Sequence, residues 1–173
     1  MPPRRAPAGQ APRLLEMPTQ TMAVVTTRGD PNAVAEKALS ALYGSVYTLK
    51  FALKKQGREL RLSPPRARWP DAHLKPKEQW TGHWGLPVPD DTVSLPRKSP
   101  ETRVRLETWE YGTVAQLLHV GPYSEEAPTV QRLHAFIRES GYEIAGAHEE
   151  EYLTTPKAKV QKTIIRYPVR RRK

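Results

Sequence analysis

The order of secondary-structure signals is the feature of this sequence that most limits its fold, because the same order occurs twice. A β-rich run at residues 22–27 precedes a long amphipathic segment, after which further strand signals follow. In the second half, β-rich runs precede a shorter amphipathic segment, and two strands are expected at 144–153 and 160–168. The halves share no motif, only this order. Helices that alternate with antiparallel strands predict an α+β fold of two strand–helix–two-strand modules.

The two predicted helices have clear start and stop signals. Asp30 can cap the first helix and Pro31 suits its first position, while Gly57 is a natural end. Ser124 is the expected cap of the second helix, which Gly141 ends. Apolar residues three or four positions apart give each helix one buried face. They are Val34, Ala38, Leu42, Val46, Leu49 and Leu53 in the first helix, and Ala127, Val130, Leu133 and Ile137 in the second.

Further strands are predicted between these helices. Short strands are expected at 59–62 and 78–86. The runs 104–111 and 113–120 are expected to form a hairpin that pivots at Gly112.

The distribution of charge and proline sets the expected domain limits. Residues 1–16 are rich in proline and arginine and are expected to be a disordered tail, and residues 170–173 a basic tail. The domain is expected to span 17–169, with modules at about 17–95 and 101–169. These tails hold more than half of the net charge of +10. We therefore expect no specific nucleic-acid site, although a protein that acts through its basic tails is an alternative.

Missing residue types and motifs exclude several classes of function. The chain has no cysteine, which excludes disulfides, thiolate nucleophiles and cysteine-ligated metals. No histidine has a metal-ligand spacing, and no phosphate loop or Gly-x-Ser-x-Gly elbow is present, so we predict no metal and no cofactor. No apolar run is long enough to span a membrane or to act as a signal peptide. We expect a cytoplasmic monomer or weak dimer without a membrane partner.

An acidic strand carries the first candidate site. Because side chains alternate along a strand, His148, Glu150 and Tyr152 share one face, whereas Glu149 and Glu151 share the other. In a packed sheet at least one carboxylate must point inward, where it becomes a cation receptor or a general base. An exposed edge strand with a solvated acidic run is the alternative.

Aromatic residues form the second candidate set. Trp69 and Trp84 lie in the irregular, proline-rich stretch 63–100, where tryptophan offers a ligand flat apolar area. We expect these two rings to line a cleft. The alternative is that some of the aromatic rings complete the core, and this is the interpretation we favour for Trp109.

Five ordered strings of the sequence form a recognisable set, at residues 29–32, 42–50, 107–130, 148–153 and 162–169. Together they resemble the GyrI-like small-molecule-binding domain family. The resemblance implies modules related by a pseudo-twofold axis, with an antiparallel sheet and a central ligand cleft. That arrangement is shared with the effector-binding domains of multidrug-sensing transcription regulators.

The resemblance also implies roles for individual residues. Glu150 matches the glutamate of the family's Glu-x-Tyr-Leu strand, and Tyr152 matches its tyrosine. The expected ligand-binding residues are Glu150, Tyr152, Trp69, Trp84, Tyr111 and His148. The function this implies is a stand-alone domain that binds or sequesters planar aromatic compounds that are cationic or electrophilic.

Hydrolysis is the alternative activity that the resemblance implies. Some members of the broader group are implied to hydrolyse cyclopropane-bearing DNA-alkylating toxins. Here Glu150 would be the base, and Tyr152 or Tyr111 would stabilise the developing phenolate. Arg66 stands where members commonly carry an acid, which weighs against hydrolysis.

Overall fold

The computed structural model describes residues 11–97 and 101–173, and its α+β architecture confirms the predicted fold class. The described elements are β1 (Arg13–Met17), β2 (Gln20–Arg28), α1 (Pro31–Lys55), β3 (Arg66–Trp69), β4 (Thr81–Pro87), β5 (Arg105–Trp109), β6 (Gly112–Val120), α2 (Ala127–Glu139), β7 (Tyr142–Ile144), β8 (His148–Tyr152) and β9 (Lys162–Arg171). The chain divides into a first unit, residues 18–110, and a second unit, which combines β1 with residues 111–173. Neither α-helix among the described residues has the length and hydropathy that membrane crossing requires.

The first unit is an antiparallel sheet with the strand order β3-β4-β2-β5, and α1 contacts β2 and β4. The predicted start of α1 is confirmed, because Asp30 Oδ1 accepts a hydrogen bond from the backbone N–H of Asn32 at 2.9 Å. Gly57, just past its end, adopts a φ of +77°, which favours glycine. The buried face of α1 contains the predicted Ala38, Leu42, Val46, Leu49 and Leu53.

The second unit is an antiparallel sheet with the order β1-β6-β9-β8, and β7 also pairs with β9. Helix α2 packs through Leu133 and Ile137 on one face of this sheet. The sheet residues in that core are Ala115, Leu117, Ile165, Tyr167 and Val169. The expected Ser124 cap is wrong, because a 3-10 turn at Tyr123–Glu125 comes first and Glu126 occupies the cap position.

The expected hairpin between 104–111 and 113–120 is wrong, because the two strands belong to different units. Strand β5 pairs with β2, whereas β6 pairs with β1 and β9. A hairpin needs a turn that folds the chain back on itself, but residues 110–111 lead from the first unit into the second. As a result, β1 pairs with β6 in the second unit although β2 follows it in the chain. Likewise, β5 pairs with β2 in the first unit although β6 follows it.

The tail boundaries also need correction. Residues 13–16, expected in a disordered tail, belong to β1, and Leu14 packs against the core of the second unit. Residues 1–10 lie outside the described part of the chain. Arg170 and Arg171, expected in a basic tail, extend β9 and pair with β7.

Strand predictions in the first unit were less accurate than its helix. Residues 59–62 are not a strand, and the strand expected at 78–86 begins at Thr81. Strand β3 was missed, because four residues between two prolines and an irregular segment give too short a pattern.

Candidate functional site

Strand β8 presents Glu150 on the same side of the sheet as α2. Glu150 lies opposite Ile165 and Tyr152 opposite Thr163 in the pairing with β9. Because Ile165 belongs to the core beneath α2, the face shared by His148, Glu150 and Tyr152 is the helix-covered face. The predicted alternation is therefore present, and only 5% of Glu150 is exposed.

The Glu150 carboxylate is held at both oxygens. His148 Nε2 lies 3.0 Å from Glu150 Oε1, and the Tyr152 hydroxyl donates to Glu150 Oε2 at 2.9 Å. The other imidazole nitrogen of His148, Nδ1, lies 2.6 Å from the hydroxyl of Tyr167. We call His148, Glu150, Tyr152 and Tyr167 the Glu150 cluster. It is a continuous chain of hydrogen-bonding groups from β8 to β9.

The electrostatics of the cluster favour a carboxylate beside neutral phenols. Burial alone would raise the pKa of Glu150, but the hydrogen bond and charge of His148, together with hydrogen bonds from Glu126 and Tyr152, outweigh it and leave this pKa below its ordinary value. Burial and the negative charge of Glu150 raise the pKa of Tyr152 well above normal. Burial also raises the pKa of Tyr167, with help from the charges of Glu126 and Glu150. At neutral pH the carboxylate is ionised and both phenols keep their protons.

The segment that leads into α2 supplies two more groups beside this cluster. Gly121, with φ +129°, and Pro122 turn the chain out of β6. The ring of Tyr123 then meets the ring of Tyr152 edge to face at 5.6 Å. Single donor atoms of Glu126, His148 and Glu150 all lie within 4.8 Å of one another. Two acids, an imidazole and several aromatic rings therefore converge in one unit.

The opposite face of β8 holds a second buried network, built around Arg166. Its guanidinium donates to Glu149 Oε2 at 2.7 Å and to Gln116 Oε1 at 3.0 Å. The Tyr111 hydroxyl donates to Glu149 Oε1 at 2.9 Å, so this predicted site residue is bonded to the carboxylate on the opposite face of β8 from Glu150. Glu149 is 2% exposed and Arg166 4%. Sequence reasoning missed Arg166, since its partner is fixed only by the pairing of β8 with β9.

The two tryptophans of the predicted ligand set lie in the first unit. Trp69 and Trp84 are 4% and 2% exposed, and their rings meet edge to face at 5.6 Å. Trp84 Nε1 donates to Thr27 Oγ1 at 2.9 Å. This burial suits a structural role, and their contact with a ligand stays a prediction. The structure thus brings His148, Glu150 and Tyr152 together, places Tyr111 on the other face of their sheet, and pairs Trp69 with Trp84 separately.

Two α+β units, one of which carries a buried carboxylate among tyrosines, are the arrangement expected of a small-molecule-binding domain. The sequence profile of one such family, the GyrI-like small molecule binding domain, matches residues 10–169. The chain belongs to this GyrI-like family. No curated protein matches the chain significantly.

Solved structures agree with this assignment. A conserved protein from Listeria innocua is 28% identical, with 93% of each chain covered and a TM-score of 0.80. A hydrolase from Listeria innocua is 27% identical, with 96% of this chain and 94% of that chain covered and a TM-score of 0.76. The C-terminal domain of EcmrR is 13% identical over 94% of this chain and 99% of that chain, with a TM-score of 0.67. This last likeness shows the fold alone.

Proposed function

We propose that this small-molecule-binding domain takes planar aromatic cations, with the Glu150 carboxylate as their counter-charge. The observation that carries the proposal is an ionised carboxylate that is 5% exposed and sits among tyrosine rings. Removing a carboxylate from water is costly, and a cation that binds beside it offsets part of that cost. Aromatic faces attract the same kind of ligand. Tyr123, Tyr152 and Tyr167 supply such faces close to the charge.

A pair of dyes of similar size, one cationic and one neutral, tests the charge requirement. Glu150→Gln keeps the shape of the side chain and removes its charge. We expect this variant to bind the cationic dye less tightly by about 1–3 kcal/mol, roughly 5- to 150-fold in affinity. Its affinity for the neutral dye should not change. Its melting temperature should fall modestly, because the lowered pKa of Glu150 means that the folded surroundings stabilise the ionised carboxylate, which Gln lacks.

Glu151→Gln is the matched control, because it makes the same chemical change on the opposite face of the same strand. It should bind both dyes as the wild-type protein does. Equal affinity of wild type and Glu150→Gln for the cationic dye would refute the role of this carboxylate.

Trp84→Ala extends the test to the tryptophans. A larger loss of melting temperature than of affinity would mark Trp84 as structural.

Hydrolysis is a second candidate, favoured by the direct Glu150–Tyr152 hydrogen bond and by the similar Listeria innocua hydrolase. Glu150 would take a proton from water as its oxygen bonds to a strained cyclopropane carbon. The breaking carbon–carbon bond would pass its electron pair to an attached ring, and the resulting phenolate would accept a hydrogen bond from Tyr152. Tyr152 suits this role better than Tyr111, because its hydroxyl lies beside Glu150, whereas the Tyr111 hydroxyl donates to Glu149 on the opposite face of β8.

Product analysis with a cyclopropane-bearing alkylating compound tests this candidate. Glu150→Gln should abolish product formation while neutral dye still binds. Turnover that is unchanged in this variant would rule out Glu150 as the base.

A further inference from the structure

Three potential metal ligands converge from two distant parts of the second unit. Glu126 lies at the start of α2, whereas His148 and Glu150 lie on β8. One donor atom from each comes within 4.8 Å of the other two. The sequence predicts no metal site because these residues have no recognisable ligand spacing, and only the packing of α2 on the sheet brings them together.

Two tyrosines each contact one polar atom of His148 and Glu150, on the side away from the other residue. The remaining polar atom of each residue faces the other. Tyr167 contacts His148 Nδ1, and Tyr152 donates to Glu150 Oε2. Metal-binding histidines typically use their second nitrogen in this way, and ligating carboxylates are hydrogen-bonded likewise. The two facing atoms, His148 Nε2 and Glu150 Oε1, are 3.0 Å apart. Two ligand atoms on one tetrahedral zinc ion, each bound at about 2.0–2.1 Å, are separated by roughly 3.3 Å.

The charges and atom types of the group suit a divalent ion. Two carboxylates offset a double positive charge, and the imidazole adds a nitrogen donor. Nitrogen and oxygen donors select zinc, manganese or iron over soft ions such as copper(I). Three protein ligands leave at least one position for water, as in catalytic zinc sites.

A buried hydroxyl lies on the same face of the sheet. Thr163 is fully buried and lies opposite Tyr152 in the β8–β9 pairing, beside the Glu150 cluster. Its side chain interacts with that of Tyr123, so a polar pair from β9 and from the segment before α2 lies next to the cluster.

We propose that Glu126, His148 and Glu150 form a binding site for a divalent transition-metal ion of the zinc class. Tyr152 and Tyr167 orient two of its ligands. This site goes beyond the proposed function, because it needs no organic ligand.

Zinc titration of chelator-treated protein tests the site, with calorimetry for affinity and the visible spectrum of added Co²⁺ for coordination. We expect saturable binding of one ion per chain. Glu126→Gln should lower the affinity for zinc by at least about tenfold. Tyr167→Phe, which acts through His148, should lower it by about tenfold or more. Both variants should keep the wild-type circular dichroism spectrum.

The matched controls are Glu125→Gln, one position from Glu126, and His73→Gln, which removes an exposed histidine. Both should bind zinc as the wild type does. The site is refuted if the wild type shows no saturable zinc binding, or if Glu126→Gln binds zinc with unchanged affinity. An equal loss in Glu125→Gln would refute it as well. Dye binding is measured in chelator and zinc binding without dye, so either proposal can fail alone.

Discussion

Replacing Glu149 by alanine should destabilise the protein far more than the same change at Glu151. Glu149 accepts bonds from Arg166 at 2.7 Å and Tyr111 at 2.9 Å, and it is 2% exposed. Glu151 lies 3.7 Å from the same guanidinium, beyond hydrogen-bond distance, and its side chain is 12% exposed. Alanine at position 149 therefore takes away the shortest ionic contact of a buried guanidinium and the acceptor of a buried phenol.

The size of the effect follows from this geometry. Removing one partner of a buried ion pair costs about 3–5 kcal/mol. For a chain of this length that corresponds to a melting temperature lower by roughly 6–20 °C. Glu149→Gln keeps an acceptor oxygen but loses its charge, so about 1.5–3 kcal/mol is expected. Glu151→Ala should cost about 1 kcal/mol or less, in the range of weak ion pairs.

Urea unfolding followed by circular dichroism measures these differences, and a double-mutant cycle with Arg166→Met isolates the ion pair. The coupling between positions 149 and 166 should exceed that between 151 and 166. A loss under about 1 kcal/mol in Glu149→Ala, or a larger loss in Glu151→Ala, would refute the argument. The result also bears on ligand binding, since an unfolded Glu149 variant is no test of a ligand site.

Three further changes probe other parts of the structure. Leu14→Ala should lower the free energy of unfolding by about 1–2 kcal/mol, measured in urea, because Leu14 packs on the second unit's core; no loss would mean that β1 is dispensable. Gly85→Ala should cost about 1–3 kcal/mol, since a Cβ there would lie 2.8 Å from Met22 Cε and 2.9 Å from Trp109 Cη2; unchanged thermal stability would contradict this crowding. Burial and the nearby His148 lower the pKa of His134, so the unfolded chain takes up its proton first and stability should fall as pH drops below about 6.5. His134→Gln should flatten that slope in pH-dependent unfolding, and an unchanged slope would assign it to other groups.

Local patterns in the sequence predicted local features of the site. The period of two along β8 correctly grouped Glu150 with His148 and Tyr152, because neighbouring side chains on a strand face depend on nothing else. The pairing of β8 with β9 determines which face of β8 is covered by α2. The same pairing determines which glutamate Arg166 contacts. That pairing is a long-range property, so single-sequence patterns did not show it.

The same limit explains the errors in the fold. The start of α1 was predicted because a cap and a proline act within one turn. The partners of β1 and β5 were not, because hydrophobic alternation identifies a strand without identifying its neighbour. Trp84 illustrates the remaining ambiguity, because a tryptophan that fills the core and a tryptophan that lines a ligand site look the same in the sequence.

Strand β1 belongs to the second unit although it precedes the first unit in the chain. The two units therefore differ in whether one continuous fragment contains all of their strands. Residues 18–110 contain every strand of the first unit, whereas residues 111–173 lack β1, which pairs with β6 across about a hundred positions of sequence. During synthesis the first unit can close its sheet once β5 has emerged, but the second must retrieve a strand made much earlier. Such late, distant pairing is slow. A fragment that starts at residue 111 would expose the edge of β6, and a β1 strand offered by another molecule would fit it by donor-strand complementation.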